Sequence, residues 1–153
     1  MLFLTFQLGK DCYALDTAHV VEVMPRVTCK EIPQTPPGVA GVFNYHGGPV
    51  PLIDLAALSL GKPSRAQMST RIILVNYIEP NGETHLLGLL AEQATDTIRR
   101  EKTDFVDAGV SADGAPFLGP VTKDKRGLIQ LIEPGKLLPQ SLCDRLFQQP
   151  AEA

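Results

Sequence analysis

Between Pro25 and Pro63 a proline or a glycine interrupts the chain every few residues, at Pro33, Pro36, Pro37, Gly38, Gly41, Gly47, Gly48, Pro49, Pro51 and Gly61. Proline has no N–H to give a helix or a central ladder, and glycine loses more backbone freedom than any other residue on entering either. No long helix survives that spacing. The chain has 13 glycines and 13 prolines in 153 residues, so the restriction extends over its whole length and favours short strands joined by turns.

Alternation fills the gaps between these breaks. Leu2, Leu4, Phe6 and Leu8 alternate with Phe3, Thr5 and Gln7, "GKD" turns, and "CYAL" returns as the second arm of a hairpin. Asp16 is placed to cap a short turn over 17–20, after which "VVEVM" runs extended to Pro25. The prolines make 33–38 a loop. "VAGVFNY" and "PVPLID" are the next strands, joined across "HGG", where glycine supplies a positive φ. Pro49 and Pro51 place the second of them at an edge or a bulge. Asp54 is placed to cap a short helix, "LAALSL", which Gly61 and Pro63 end, and "KPSRAQMS" is a polar connection.

"RIILVNYI" and "HLLGLLAE" form a hairpin across "EPNGET", with Asn81-Gly82 as its turn signal, and "ATDTIRR" reads as a further strand. Residues 101–116 form a surface loop. "PFLGPVT" and "GLIQLI" pair across "KDKR", and Pro134 starts a short helix through Leu138. Ser141 opens an amphipathic piece with Leu142, Leu146 and Phe147 on one side, and "QQPAEA" frays. Nine or ten short strands with neither a βαβ rhythm nor an internal repeat predict an all-β chain, built as a small antiparallel barrel or a pair of barrels.

Chemistry is harder to find. The net charge of −3 and the lack of a basic-aromatic stripe argue against nucleic acid as a partner. His19, His46 and His85 are far apart in sequence and fit no metal-ligand spacing, so no metal is expected. Ser59 lacks a G-x-S-x-G elbow, and no glycine-rich phosphate loop is present, so neither a catalytic residue nor a cofactor is expected. His46 and Asp54 could be imagined as a base and its orienting carboxylate, but a helix cap is the plainer role for Asp54. Cys12, Cys29 and Cys143 read as small apolar residues of a reducing compartment. Arg99, Arg100 and Lys102 read as a solvated strand end. The N-terminal segment lacks a signal peptide's basic start, no apolar run reaches membrane-span length, and the chain is expected to be cytoplasmic.

Taken in order, "FQLGKDCYALD", "VVEVM" and "IPQTPPGVAGVFNYHGGPVPLIDL" closely resemble the CheW-like domain of bacterial chemosensory systems. "LLGLLAEQATDTIR" and "FLGPVTKDKRGLIQLIEPGKLL" resemble its second half more loosely, so the likeness spans nearly the whole chain. The resemblance implies one domain over 1–153, made of two five-stranded SH3-like barrels side by side with a few short helices. It also implies a non-enzymatic adaptor, recruited to receptor clusters, that couples chemoreceptor signalling tips to the regulatory domain of a CheA-type histidine kinase. In such adaptors the groove between the barrels takes the receptor tip and a barrel end docks the kinase.

Matching positions puts Val20, Glu22 and Gly41 where the family's receptor- or kinase-contact residues lie. His46 stands where the family usually has arginine. That departure points toward a surface-sensing or pilus-linked system, and the resemblance places Glu22 and His46 close enough for an ion pair. Two other readings of the chain stay open: an SH3-like module with unrelated ligands, and a small enzyme using His46 and Asp54.

Overall fold

The computed structural model describes residues 1–31, 33, 38–60, 70–79, 82–107, 117–125, 127–138 and 140–147, apart from the side chains at 59, 60, 95, 140, 141 and 145. Most of the proline loop, the polar connection through 69, residues 108–116 of the long loop and the tail from 148 lie outside these residues. Nine strands are described: β1 (Leu2–Leu8), β2 (Asp11–Asp16), β3 (Val20–Pro25), β4 (Val39–Tyr45), β5 (Gly48–Asp54), β6 (Thr70–Ile78), β7 (Thr84–Arg99), β8 (Leu118–Asp124) and β9 (Gly127–Ile132). Helices α1 (Leu55–Leu60) and α2 (Gln140–Leu146) and three 3₁₀ turns complete them.

The hydrogen-bonded order β3-β6-β7-β1-β2-β9-β8, with β4 and β5 attached to β7, resolves into two five-stranded barrels that share β7. The first half of β7 pairs with β6 as far as Glu92, and the second half pairs with β1 from Glu92 onward. Gln93, at φ +51, is the bulge that turns the strand from one barrel into the other. Two separate strands were expected here. The left-handed residue bends the strand without ending it.

Each barrel closes through one short bridge. In the first, Lys30 and Val42 exchange backbone hydrogen bonds of 2.7 and 2.8 Å, joining the segment after β3 to β4. In the second, Val106 and Val121 exchange two of 2.8 Å, joining the segment after β7 to β8. The expectation of an antiparallel barrel needs one correction, because β2 pairs with β9 and β5 with β7 in parallel. Parallel neighbours come from distant parts of the chain and leave no hairpin signal in the sequence.

Burial explains the strands that do not alternate. On β6, Ile72 and Leu74 face the interior of the first barrel with Phe43, Val50, Leu52 and Leu90. Ile73, Val75 and Tyr77 face the opposite way, into a larger core between the barrels that also takes Phe6, Leu15, Leu55, Leu89 and Leu142. A strand buried on both faces reads as a continuous apolar run. Gly88 on β7 makes room for this packing: a Cβ there would stand 2.6 Å from the Phe43 ring.

Both expected caps form, whereas the strand end at Arg100 is half-buried and not simply solvated. The Asp16 carboxylate accepts from Ala18 N–H at 3.0 Å, and the Asp54 carboxylate accepts from Ala56 and Ala57 N–H at 3.1 and 3.3 Å. Arg100 donates to the carbonyls of Arg99 and Lys123, tying the end of β7 to β8.

Candidate functional site

The first barrel has an uneven seam. Among the described residues strand β3 pairs with β6 on one side only, and β4 meets the chain again at Lys30, beyond the end of β3. Along β3 no residue is fully buried; Val21 and Val23 are 44% and 38% exposed, with Glu22 exposed between them. Among the described residues β3 thus has an open edge with apolar side chains beside it.

Glu22 reaches across the open part of the seam. Its carboxylate accepts from the Tyr45 hydroxyl at 2.7 Å. Tyr45 ends β4, and its ring meets the edge of the His46 ring at 4.3 Å between centroids and 84° between planes. That hydrogen bond, followed by partial burial and the charge of Glu22, raises the tyrosine's pKa above its ordinary value. Glu22→Gln removes the charged acceptor, so a spectrophotometric titration should find Tyr45 ionising at lower pH in the variant. An unchanged titration would break the link between the two strands.

The ion pair expected between Glu22 and His46 is absent: no salt bridge joins them, and the carboxylate's partner is Tyr45. Turn geometry gives the reason. His46 and Gly47 are the two central residues of the β4–β5 hairpin, with φ of +51 and +86, and Gly47 N–H donates to Asn44 Oδ1 at 2.9 Å. Two positive φ values mark a type I′ turn. The imidazole is thereby displayed at the hairpin tip, folded against Tyr45.

Val20 is half-buried and packs against the core between the barrels. Gly41 is buried at φ +146, and a Cβ there would fall 2.2 Å from the Lys30 carbonyl oxygen. Its part is to let the seam close. The structure thus brings Glu22 and His46 to one surface through Tyr45, while Val20 and Gly41 lie beneath it. Sequence reasoning missed Tyr45, Val21 and Val23. The apolar residues on both faces of "VVEVM" were the available signal for the two valines.

His46 and Asp54 do not form a catalytic pair. His46 lies in the turn before β5 and Asp54 ends that strand, eight residues or roughly 26 Å of extended chain later, and the Asp54 carboxylate is engaged in capping α1. No helix among the described residues is long and apolar enough to cross a membrane.

The family model of the CheW-like domain matches residues 2–141. The chain belongs to that family. Chemotaxis protein CheW of Treponema pallidum is 36% identical over 144 residues, covering 93% of this chain and 84% of that protein. CheW of Helicobacter pylori is 28% identical over 103 residues, 67% of this chain, and CheW of Klebsiella aerogenes is 32% identical over 97 residues, 60% of this chain. The chain spans only 59% and 58% of the length of those two relatives. Among solved structures, the scaffolding protein TtCheW of Thermoanaerobacter tengcongensis superposes with a TM-score of 0.77 at 25% identity, covering 90% of this chain and 87% of that one. The pair of SH3-like barrels is therefore the family fold.

Proposed function

We propose that this chain is a non-enzymatic adaptor that couples chemoreceptor signalling tips to the regulatory domain of a CheA-type histidine kinase in the cytoplasm. The observation that carries the reading is the open edge of β3, where Val21 and Val23 flank the Glu22–Tyr45 hydrogen bond beside the His46 turn. An exposed strand of this kind gives a partner backbone hydrogen bonds for affinity and side-chain pockets for specificity. The shared β7 and the common core support a single working unit over 1–153, in which a partner at one barrel is sensed by the other.

His46 carries the finer part of the proposal. A histidine in place of the family's usual arginine is shorter and lacks the guanidinium fork, so it suits a partner that does not present a carboxylate for bidentate pairing. That favours a specialised system, surface-sensing or pilus-linked, over a flagellar one.

The test is co-sedimentation with receptor hairpin fragments and with the kinase regulatory domain, comparing wild type with the double variant Val21→Glu, Val23→Glu. Both positions are exposed, so the variant should keep its circular dichroism and melting point while binding at least one partner ten-fold or more less tightly, about 1.4 kcal/mol. Wild-type binding to neither partner would hand the chain to the SH3-like module with unrelated ligands.

A further inference from the structure

We propose that the β6–β7 hairpin carries a divalent-metal site, made by Glu79, Glu83 and His85, of the kind that takes Zn²⁺. One donor atom from each of the three lies within 4.8 Å of the others. His85 Nε2 is 2.7 Å from Glu79 Oε2 and 3.6 Å from Glu83 Oε2. The hairpin itself places them. Glu79 N–H donates to the Glu83 carbonyl and Gly82 N–H to the Glu79 carbonyl, both at 2.8 Å, which sets the two glutamates side by side at the turn. His85 opens the returning strand opposite Tyr77.

The state of Glu79 points to a cation. Its side chain is 4% exposed, yet among the described residues its carboxylate meets one side-chain donor, His85 Nε2, through one oxygen. A carboxylate has about four acceptor positions, and burying one so thinly satisfied is costly. No lysine or arginine among the described residues pairs with it. The second carboxylate, Glu83, is 68% exposed and keeps the site open to solvent.

Ligand type and geometry select the metal. One imidazole and two carboxylates suit zinc, whereas calcium and magnesium prefer more ligands, all of them oxygen. Bonds of about 2.0–2.2 Å in a tetrahedron put neighbouring donors roughly 3.3 Å apart. The His85–Glu83 distance is already close to that. The His85–Glu79 distance must open by about half an ångström as the metal replaces the proton between them, which leaves for solvent. Water takes the fourth position. The ring plane of His85 is held in advance by Phe147, stacked at 4.2 Å and 5°, and Phe147 in turn stacks on Tyr77. A bound ion would thus clamp the hairpin to the C-terminal segment that follows α2. The spacing Glu-x-x-x-Glu-x-His matches no known metal motif, so histidine spacing alone does not mark it.

The test is calorimetric titration with ZnCl₂, in a Cys12→Ser, Cys29→Ser background that removes the two partly exposed thiols. One equivalent of Zn²⁺ should bind with micromolar or tighter affinity and raise the melting point, while MgCl₂ gives no heat. Glu83→Gln should weaken binding at least about ten-fold with the metal-free melting point unchanged, and His85→Gln should abolish it. X-ray absorption of the loaded protein should show only nitrogen and oxygen around the zinc. No stoichiometric binding, equal binding by Glu83→Gln, or sulfur in the coordination sphere would each overturn the site.

Discussion

Gly41→Val should cost the chain about 3–5 kcal/mol and lower its melting temperature by roughly 10 °C. Two effects combine at this position. A φ of +146 is a conformation that a β-branched residue adopts only under strain. The added Cβ would also fall 2.2 Å from the Lys30 oxygen and 2.8 Å from the Lys30 carbonyl carbon, and these are backbone atoms that no rotamer change can move aside. Lys30 is the residue whose exchange of hydrogen bonds with Val42 closes the first barrel, so relief of the clash must open the seam. Gly47→Ala separates the two effects. Gly47 sits at φ +86 with nothing within 4 Å of its built Cβ, so this variant carries backbone strain without the clash and should lose only about 1 kcal/mol. Thermal unfolding followed by circular dichroism measures both. A Gly41→Val protein that melts with the wild type would mean that Lys30 does not approach the strand so closely.

How far the fold could be read from the sequence depended on the range of each interaction. The β4–β5 hairpin, the caps at Asp16 and Asp54 and the β6–β7 pairing are all set within a few residues, and all are where turn and capping chemistry put them. The parallel pairs were not legible. Cys12 meets Ile129 and Leu52 meets Gly88 only because two barrels close, and no local pattern encodes that closure. The continuous apolar run of β6 showed that both faces are buried, without showing that each face belongs to a different core. The two-barrel fold came from family resemblance.

The site was legible in the same uneven way. Glu22 and Tyr45 are 23 residues apart and meet across the seam, so no local pattern pairs them, and the family resemblance points the carboxylate to His46 instead. His46 was rightly placed in a turn. Its own positive φ, which aims the ring at Tyr45, follows from the turn type and not from residue identity alone. Glu79, Glu83 and His85 are local to one hairpin. They were visible in the sequence, but without a known spacing their meeting had no signature.

Tyr77→Ala should be the most damaging truncation within the core, at about 3–5 kcal/mol. Tyr77 is fully buried in the core between the barrels, its hydroxyl donates to the Leu138 carbonyl at 3.2 Å, and the Cys143 sulfur lies 3.6 Å away. Its ring also receives Phe147, so truncation removes the seat of the C-terminal segment as well as filling volume. Tyr77→Phe keeps the ring and gives up only the hydroxyl, at about 1 kcal/mol, and the two variants together separate packing from hydrogen bonding. The hydroxyl has a second consequence. Burial, reinforced by the hydrogen bond from Cys143, pushes the Tyr77 pKa far above the usual tyrosine value of 10.0. A group whose folded pKa is raised stabilises the fold in full below its unfolded pKa, and that contribution fades as pH climbs toward the folded one. Wild-type stability should therefore fall as pH rises past about 10, and Tyr77→Phe should fall less steeply over the same window. Burial and the charge of Asp11 also raise Tyr13, and the hydrogen bond to Glu22 followed by burial raises Tyr45, so a shallower alkaline loss should persist in the variant. Urea midpoints measured from pH 8 to pH 11 decide the matter: parallel curves for the two proteins would show that Tyr77 does not carry the alkaline sensitivity.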